Sequence, residues 1–241
     1  VDDIHSYQNE ADIPLLIGVD EEGGTVVRVS SNPNLRETAF LSPKDTYADG
    51  GWDAVKRDAE EKADLLLSLG INVNLAPVCD MTSDEYGFMY DRSFSVDVDM
   101  ENRYVRTVVE TSKSKKLGTV LKHFPGYGNN SDTHTGIAYD DRDYSEFENT
   151  DFKPFYQGIE SGADCILVSH NIVNCMDSEY PASLSQKVHD ILRNEFKFDG
   201  VIMTDDLIMD AITDFTGDEA AAVTAAKCGN DLLCCSSVDT Q

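Results

Sequence analysis

Six short apolar runs, separated by much longer amphipathic stretches, constrain this chain more than any other feature. The runs are 15–19 (LLIGV), 71–76 (INVNLA), 119–124 (TVLKHF), 165–169 (CILVS), 201–204 (VIMT) and 231–235 (DLLCC). Runs this short and this apolar suit strands covered on both faces, as in a parallel sheet. The stretches between them carry helical spacing. Residues 52–70 place apolar side chains on one helical face and close on Gly70, a helix C-terminal signal. Residues 102–118 repeat the form, with Lys113, Lys115 and Lys116 in the last turn, where cations complement the helix dipole. Residues 152–162, 185–196 (with Ser185 as an N-cap) and 211–229 complete the set. Strand and helix in alternation predict an α/β fold with a parallel sheet.

Two architectures satisfy that alternation. A doubly wound open sheet would carry a glycine-rich phosphate loop after its first strand. Here Glu21-Glu22-Gly23-Gly24 follows, two carboxylates where a phosphate would sit, which excludes a nucleotide fold. The other architecture is a TIM-type (β/α)8 barrel, which needs eight strands and about 250 residues. The chain has 241 residues and six countable strands. The expectation is therefore one barrel domain over 1–241, truncated, with about six βα units and incomplete at both ends. The chain also lacks an initiator methionine.

Charge narrows the partners. With 19 basic and 45 acidic residues the formal net charge is −26, a field that repels nucleic acid and anionic membrane surfaces. No uncharged apolar run approaches the roughly 18–20 residues of a membrane span. Residues 1–11 are polar and acidic, unlike a signal peptide, so neither a cytoplasmic nor a secreted location is written in them. The six cysteines show no zinc-binding spacing and mostly adjoin apolar residues, as reduced structural thiols do.

The active site of a parallel barrel is built from loops at the C-terminal ends of its strands. Ionisable residues gather at those positions: Asp20, Asp80, Lys122 with His123, His170, and Asp205 with Asp206. Charges at the tips of apolar strands are costly unless paired or functional. The third strand opens onto KHFPGYGNNSDTH (122–134), whose Asp132 and His134 stand two residues apart. In an extended segment they face the same way, and the carboxylate would fix the imidazole tautomer of an acid–base dyad. With an aspartate nucleophile from another strand, this reads as retaining glycoside hydrolysis, with Lys122, Arg28 and Arg92 donating to sugar hydroxyls. A divalent metal held by His123, Asp132, His134 and Asp205 is the rival; no helical His-x-x-x-His supports it.

KHFPGYGNNSDTH resembles the KHFPGHG…D-S/T-H signature of glycoside hydrolase family 3, in its β-N-acetylglucosaminidase branch. IGVDEEGGTVVRV (17–29), DRSFS (91–95), HNIVNCMDSEYPASLS (170–185) and FDGVIMTDDLIM (198–209) resemble further segments of that family, in family order. The resemblance implies a TIM-type barrel, no cofactor, and an N-acetylglucosamine-containing glycan or muropeptide as substrate. It matches Asp205 to the nucleophile, His134 to the general acid/base and Asp132 to its partner. It matches Asp20, Arg28, Arg92, Lys122 and His123 to residues holding the sugar ring. An imidazole puts less negative charge beside the leaving group than a carboxylate would, which lets phosphate compete with water. Tyr127 stands where the family often has His, a change expected to shape the loop and leave the mechanism intact. Glu21 and Glu22 are expected to stabilise backbone or Arg28, and His170 to be structural. A β-glucosidase of the same family and an inactive carbohydrate-binding protein are the alternatives.

Overall fold

A computed structural model of the chain describes residues 2–130, 132–133, 136–216 and 221–236. Its strands in chain order are β1 (Gly18–Val19), β2 (Glu21–Gly23), β3 (Val26–Val27), β4 (Val73–Asn74), β5 (Gly118–Phe124), β6 (Tyr139–Asp140), β7 (Cys165–Val168), β8 (Ile172–Val173), β9 (Val201–Asp206) and β10 (Leu232–Cys234). Its helices are α1 (Asp2–Glu10), α2 (Pro43–Ser68), α3 (Val98–Ser114), α4 (Tyr144–Asn149), α5 (Phe152–Glu160), α6 (Gln186–Asp190), α7 (Asp210–Thr216) and α8 (Ala221–Cys228).

Each apolar run carries one strand of a six-stranded parallel sheet in the order β1-β4-β5-β7-β9-β10. Among these six strands each lies beside its neighbour in sequence, the winding of a barrel wall and not of a doubly wound sheet. The sheet curls. Its concave face carries Val73, Val120, Cys165, Leu167, Val201 and Met203, all but Leu167 lining an apolar cavity of about 500 Å³. Its convex face carries Leu121, Ile166, Val168 and Ile202, packed with Phe124, Phe152, Phe155 and Phe196 beneath the helices. Fully burying a large apolar side chain stabilises the fold by roughly 1.5–3 kcal/mol. Strand side chains alternate between faces. That parity aims Lys122, two residues after Val120, and Asp205, two after Met203, into the concave interior.

Several boundaries differ from the sequence expectation. The helix expected over 102–118 is α3, which starts earlier because Asp97 caps it, accepting from the Met100 amide at 2.9 Å. It ends before Lys116, which takes a left-handed φ of 67°, and Gly118 opens β5 instead. The helix expected over 52–70 extends back to Pro43 through a kink at Gly50 and Gly51. The stretch 185–196 keeps its Ser185 cap but divides into α6 and a wider π turn, Ile191–Glu195. The stretch 211–229 carries two described helices, α7 and α8, rather than one. Two small sheets, β2 with β3 and β6 with β8, had no period-2 signal long enough to read. Six free cysteines are present, with burial raising the Cys165 thiol to about 12. Among the described residues no helix is long and apolar enough to cross a membrane.

Candidate active site

The C-terminal ends of β1, β5 and β9 hold a network of charges built around Lys122. Its ammonium is buried and lies 2.6 Å from Asp20 Oδ1 and 2.6 Å from Glu22 Oε1. Arg92 grips the same Glu22 bidentately, Nε to Oε2 at 2.9 Å and Nη2 to Oε1 at 2.8 Å. Burial alone would raise the Glu22 carboxyl, but Lys122 and Arg92 outweigh it and hold the group down to about 2. Burial likewise works against the Lys122 ammonium, and Glu22 and Asp20 reverse it, leaving it raised. Two cations and two carboxylates thus share the recess, and the cations keep the buried Glu22 ionised.

His123 joins this network from the residue after Lys122. Consecutive strand residues would ordinarily face opposite ways, but here the Lys122–His123 peptide is cis, the β5–β7 register shifts between Leu121 and Phe124, and both side chains reach the network. The His123 Nε2 lies 3.1 Å from Arg92 Nη2, and its Nδ1 lies 2.6 Å from Asp80 Oδ2. A guanidinium only donates, so Nε2 faces Arg92 as acceptor and Nδ1 faces the Asp80 carboxylate as donor. Both nitrogens are occupied, which leaves His123 no lone pair for a metal in this arrangement. Among the described residues no cluster of three or more His, Cys, Asp or Glu has metal-holding geometry.

Asp205 closes the site from β9. The Asp206 amide donates to its Oδ1 at 2.8 Å. Burial pushes its carboxyl up, but His170, His123, that amide and Lys122 pull further, so it lies below the ordinary carboxylate range. Its charge also raises the Arg92 guanidinium and the Tyr127 phenol. Asp206 faces away and caps, its Oδ1 accepting from the Ile208 and Ser236 amides. His170 is fully buried and ties Ser183 Oγ (2.7 Å) to the Asp206 carbonyl (3.0 Å), the structural part expected of it.

The structure therefore brings together Asp20, Arg92, Lys122, His123 and Asp205. Arg28 does not join them. Its amide donates to Glu21 Oε2 at 2.9 Å, while its guanidinium is exposed and reaches only the Val27 carbonyl at 3.5 Å among the described residues. The β2–β3 turn explains this, because Glu21 collects the amides of Arg28, Val29 and Ser30 and fixes that segment through its backbone. Asp132 is half-buried near the end of the loop after β5. His134 lies outside the described residues. Two residues of the network, Glu22 and Asp80, were named from the sequence but given no part in the candidate site. Glu22 was expected to be a turn-stabilising neighbour of Asp20. Asp80, fully buried, accepts from the His123 ring and amide and from the Tyr127 amide at 2.8 Å. A carboxylate directly after the apolar 71–79 stretch was the available signal.

Comparison with known proteins agrees over the whole chain. The profile of the glycosyl hydrolase family 3 N terminal domain matches residues 2–241. A beta-hexosaminidase of Hydrogenovibrio crunogenus is 33% identical over 224 residues, covering 91% of this chain and 62% of the relative. A beta-hexosaminidase of Nitrosomonas eutropha is 32% identical over 234 residues, covering 94% and 66%. The chain thus spans about two thirds of the length of these relatives. The solved glycoside hydrolase family 3 beta-N-acetylglucosaminidase from Paenibacillus sp. str. FPU-7 superposes with a TM-score of 0.85 at 29% identity, covering 92% of this chain and 42% of that one.

Proposed function

The chain belongs to glycosyl hydrolase family 3 through its N-terminal domain, and from that premise we propose that it is a retaining exo-β-N-acetylhexosaminidase releasing terminal β-linked N-acetylglucosamine. The observation that carries this reading is the position of Asp205. It is a carboxylate held below the ordinary range on the concave face, at the tip of the strand next to the sheet's last, on the side that carries Asp20, Arg92, Lys122 and His123. Asp20, Arg92, Lys122 and His123 hold the ring hydroxyls and the acetamido group. We read the six parallel strands as consecutive members of a (β/α)8 wall.

The chemistry proceeds in two displacements. In the first, Asp205 attacks the anomeric carbon, a glycosyl ester forms, and the bond to the leaving oxygen breaks as His134 gives that oxygen its proton. In the second, His134 takes a proton from water, the oxygen bonds to the anomeric carbon, and Asp205 departs as a carboxylate. Asp132 orients the imidazole and stabilises its charged form. Because Asp205 is held below the usual carboxylate range, it is ionised and ready to attack at neutral pH.

The test is turnover by the full-length protein of nitrophenyl β-N-acetylglucosaminide against nitrophenyl β-glucoside, with and without phosphate. The expected preference for the N-acetylamino sugar is at least about tenfold, a difference of about 1.4 kcal/mol. Preference for the glucoside would reassign the protein as a β-glucosidase. Calorimetric binding of N-acetylglucosamine with no turnover would make it a carbohydrate-binding protein. Faster release with phosphate would make phosphate an acceptor.

A further inference from the structure

Tyr127 links the floor of the pocket to the segment that bears the acid–base pair. It follows Gly126, whose φ of 122° turns the chain sharply after β5. The turn is braced from outside. Arg142 donates to the Gly126 carbonyl at 3.1 Å and bonds Asp140 and Asp151, while Asn130 donates to Asp140 at 2.8 Å. Tyr127 itself is 1% exposed and held at three points. Its amide donates to Asp80, the carboxylate that also orients His123. Its ring meets the His123 ring edge-on, with centroids 5.3 Å apart. Its hydroxyl lies 2.5 Å from Thr133 Oγ1, and Thr133 is fully buried.

Thr133 is the residue between Asp132 and His134 in the chain. Consecutive Cα atoms are about 3.8 Å apart, so a fixed residue limits how far one bonded to it can stray. Burial, and after it the charge of Asp205, push the Tyr127 phenol far above its ordinary range, so it keeps its proton. The phenol is therefore no acid or base at working pH but a fixed hydrogen-bonding group. We propose that Tyr127 is a positioning residue for acid–base catalysis, its hydroxyl holding Thr133 and thereby setting where Asp132 and His134 meet the leaving group. This rests on the reading of Asp132 and His134 given above. It goes beyond the expectation that Tyr at this position shapes the loop and leaves the mechanism intact. A misplacement of about 1 Å in a catalytic group costs on the order of 10²-fold in rate, so one lost contact has a measurable effect.

Leaving-group dependence separates positioning from general damage, because a dinitrophenolate departs without a proton and a phenolate does not. In the full-length protein, Tyr127→Phe keeps the ring and removes the hydroxyl. Its kcat/KM for phenyl β-N-acetylglucosaminide is expected to fall about tenfold or more, with that for the dinitrophenyl glycoside within about twofold of wild type. Thr133→Val is expected to match it, Thr133→Ser to keep the wild-type profile, and the double variant to be no worse than the poorer single one. Should Tyr127→Phe fail to fold, the Thr133→Val and Thr133→Ser pair reads the same contact. His134→Ala is the reference: if it shows no leaving-group selectivity, the acid–base reading itself is wrong. If His134→Ala is selective while Tyr127→Phe or Thr133→Val is unchanged, or slowed equally on both substrates, the positioning role is overturned.

Discussion

Replacing Asp205 with Asn is expected to lower turnover of every aryl β-N-acetylglucosaminide, good and poor leaving groups alike, on the order of 10⁴-fold. The uniformity follows from the role. A nucleophile is needed whatever departs, whereas a proton donor is needed only when the departing group is basic. Asn can still accept the Asp206 amide that now bonds Asp205 Oδ1, so the strand tip keeps its geometry and the melting temperature should move little. Steady-state kinetics on the same glycoside series used for Tyr127→Phe gives the comparison directly. Near-full turnover by Asp205→Asn would place the nucleophile elsewhere.

The second large effect is on stability. Glu22→Gln is expected to destabilise the fold by about 3 kcal/mol at neutral pH, because it leaves Arg92 without its bidentate partner and Lys122 with only Asp20. Breaking one side of a buried ion cluster costs more than the cluster's net worth, since the remaining charges stay out of water. The pH dependence has a definite sign. The carboxyl is held to about 2 in the folded chain against an ordinary 4.5. Its contribution is therefore complete above about pH 4.5 and is lost as the pH falls towards 2. The gap between wild type and Glu22→Gln in urea unfolding should narrow over that window. A gap below about 1 kcal/mol at neutral pH, or one that does not change on acidification, would contradict this account of the network.

Much of this was legible in the residues. Strand positions follow from apolar runs, because a strand buried on both faces has no other way to be written. Asp205 and Lys122 were legible as site residues because period-2 parity fixes which face a strand-tip residue takes. His123 was named as a strand-tip residue, but its place in the same recess as Lys122 follows from no period-2 rule, because the β5–β7 register shifts there across a cis Lys122–His123 peptide. Glu22 sits in the short strand β2, and its pairing with Arg92, 70 residues away, is written in no local pattern. Arg28 fell outside the network for a similar reason, since Glu21 binds its backbone and the side chain turns out to solvent. Family resemblance named the residue types of the site; the long-range pairing that makes Glu22 and Asp80 its supports came only from the folded chain.

The central claim is that Asp205 bonds covalently to the sugar. The measurement that meets it most directly is peptide mass mapping of the full-length protein after incubation with a fluorinated N-acetylglucosaminyl donor whose glycosyl-enzyme hydrolyses slowly. The account predicts one added sugar, on the peptide containing Asp205 and on that side chain. A sugar on Asp20, Glu22 or Asp206 instead, or turnover of the donor with Asp205 never modified, would contradict it.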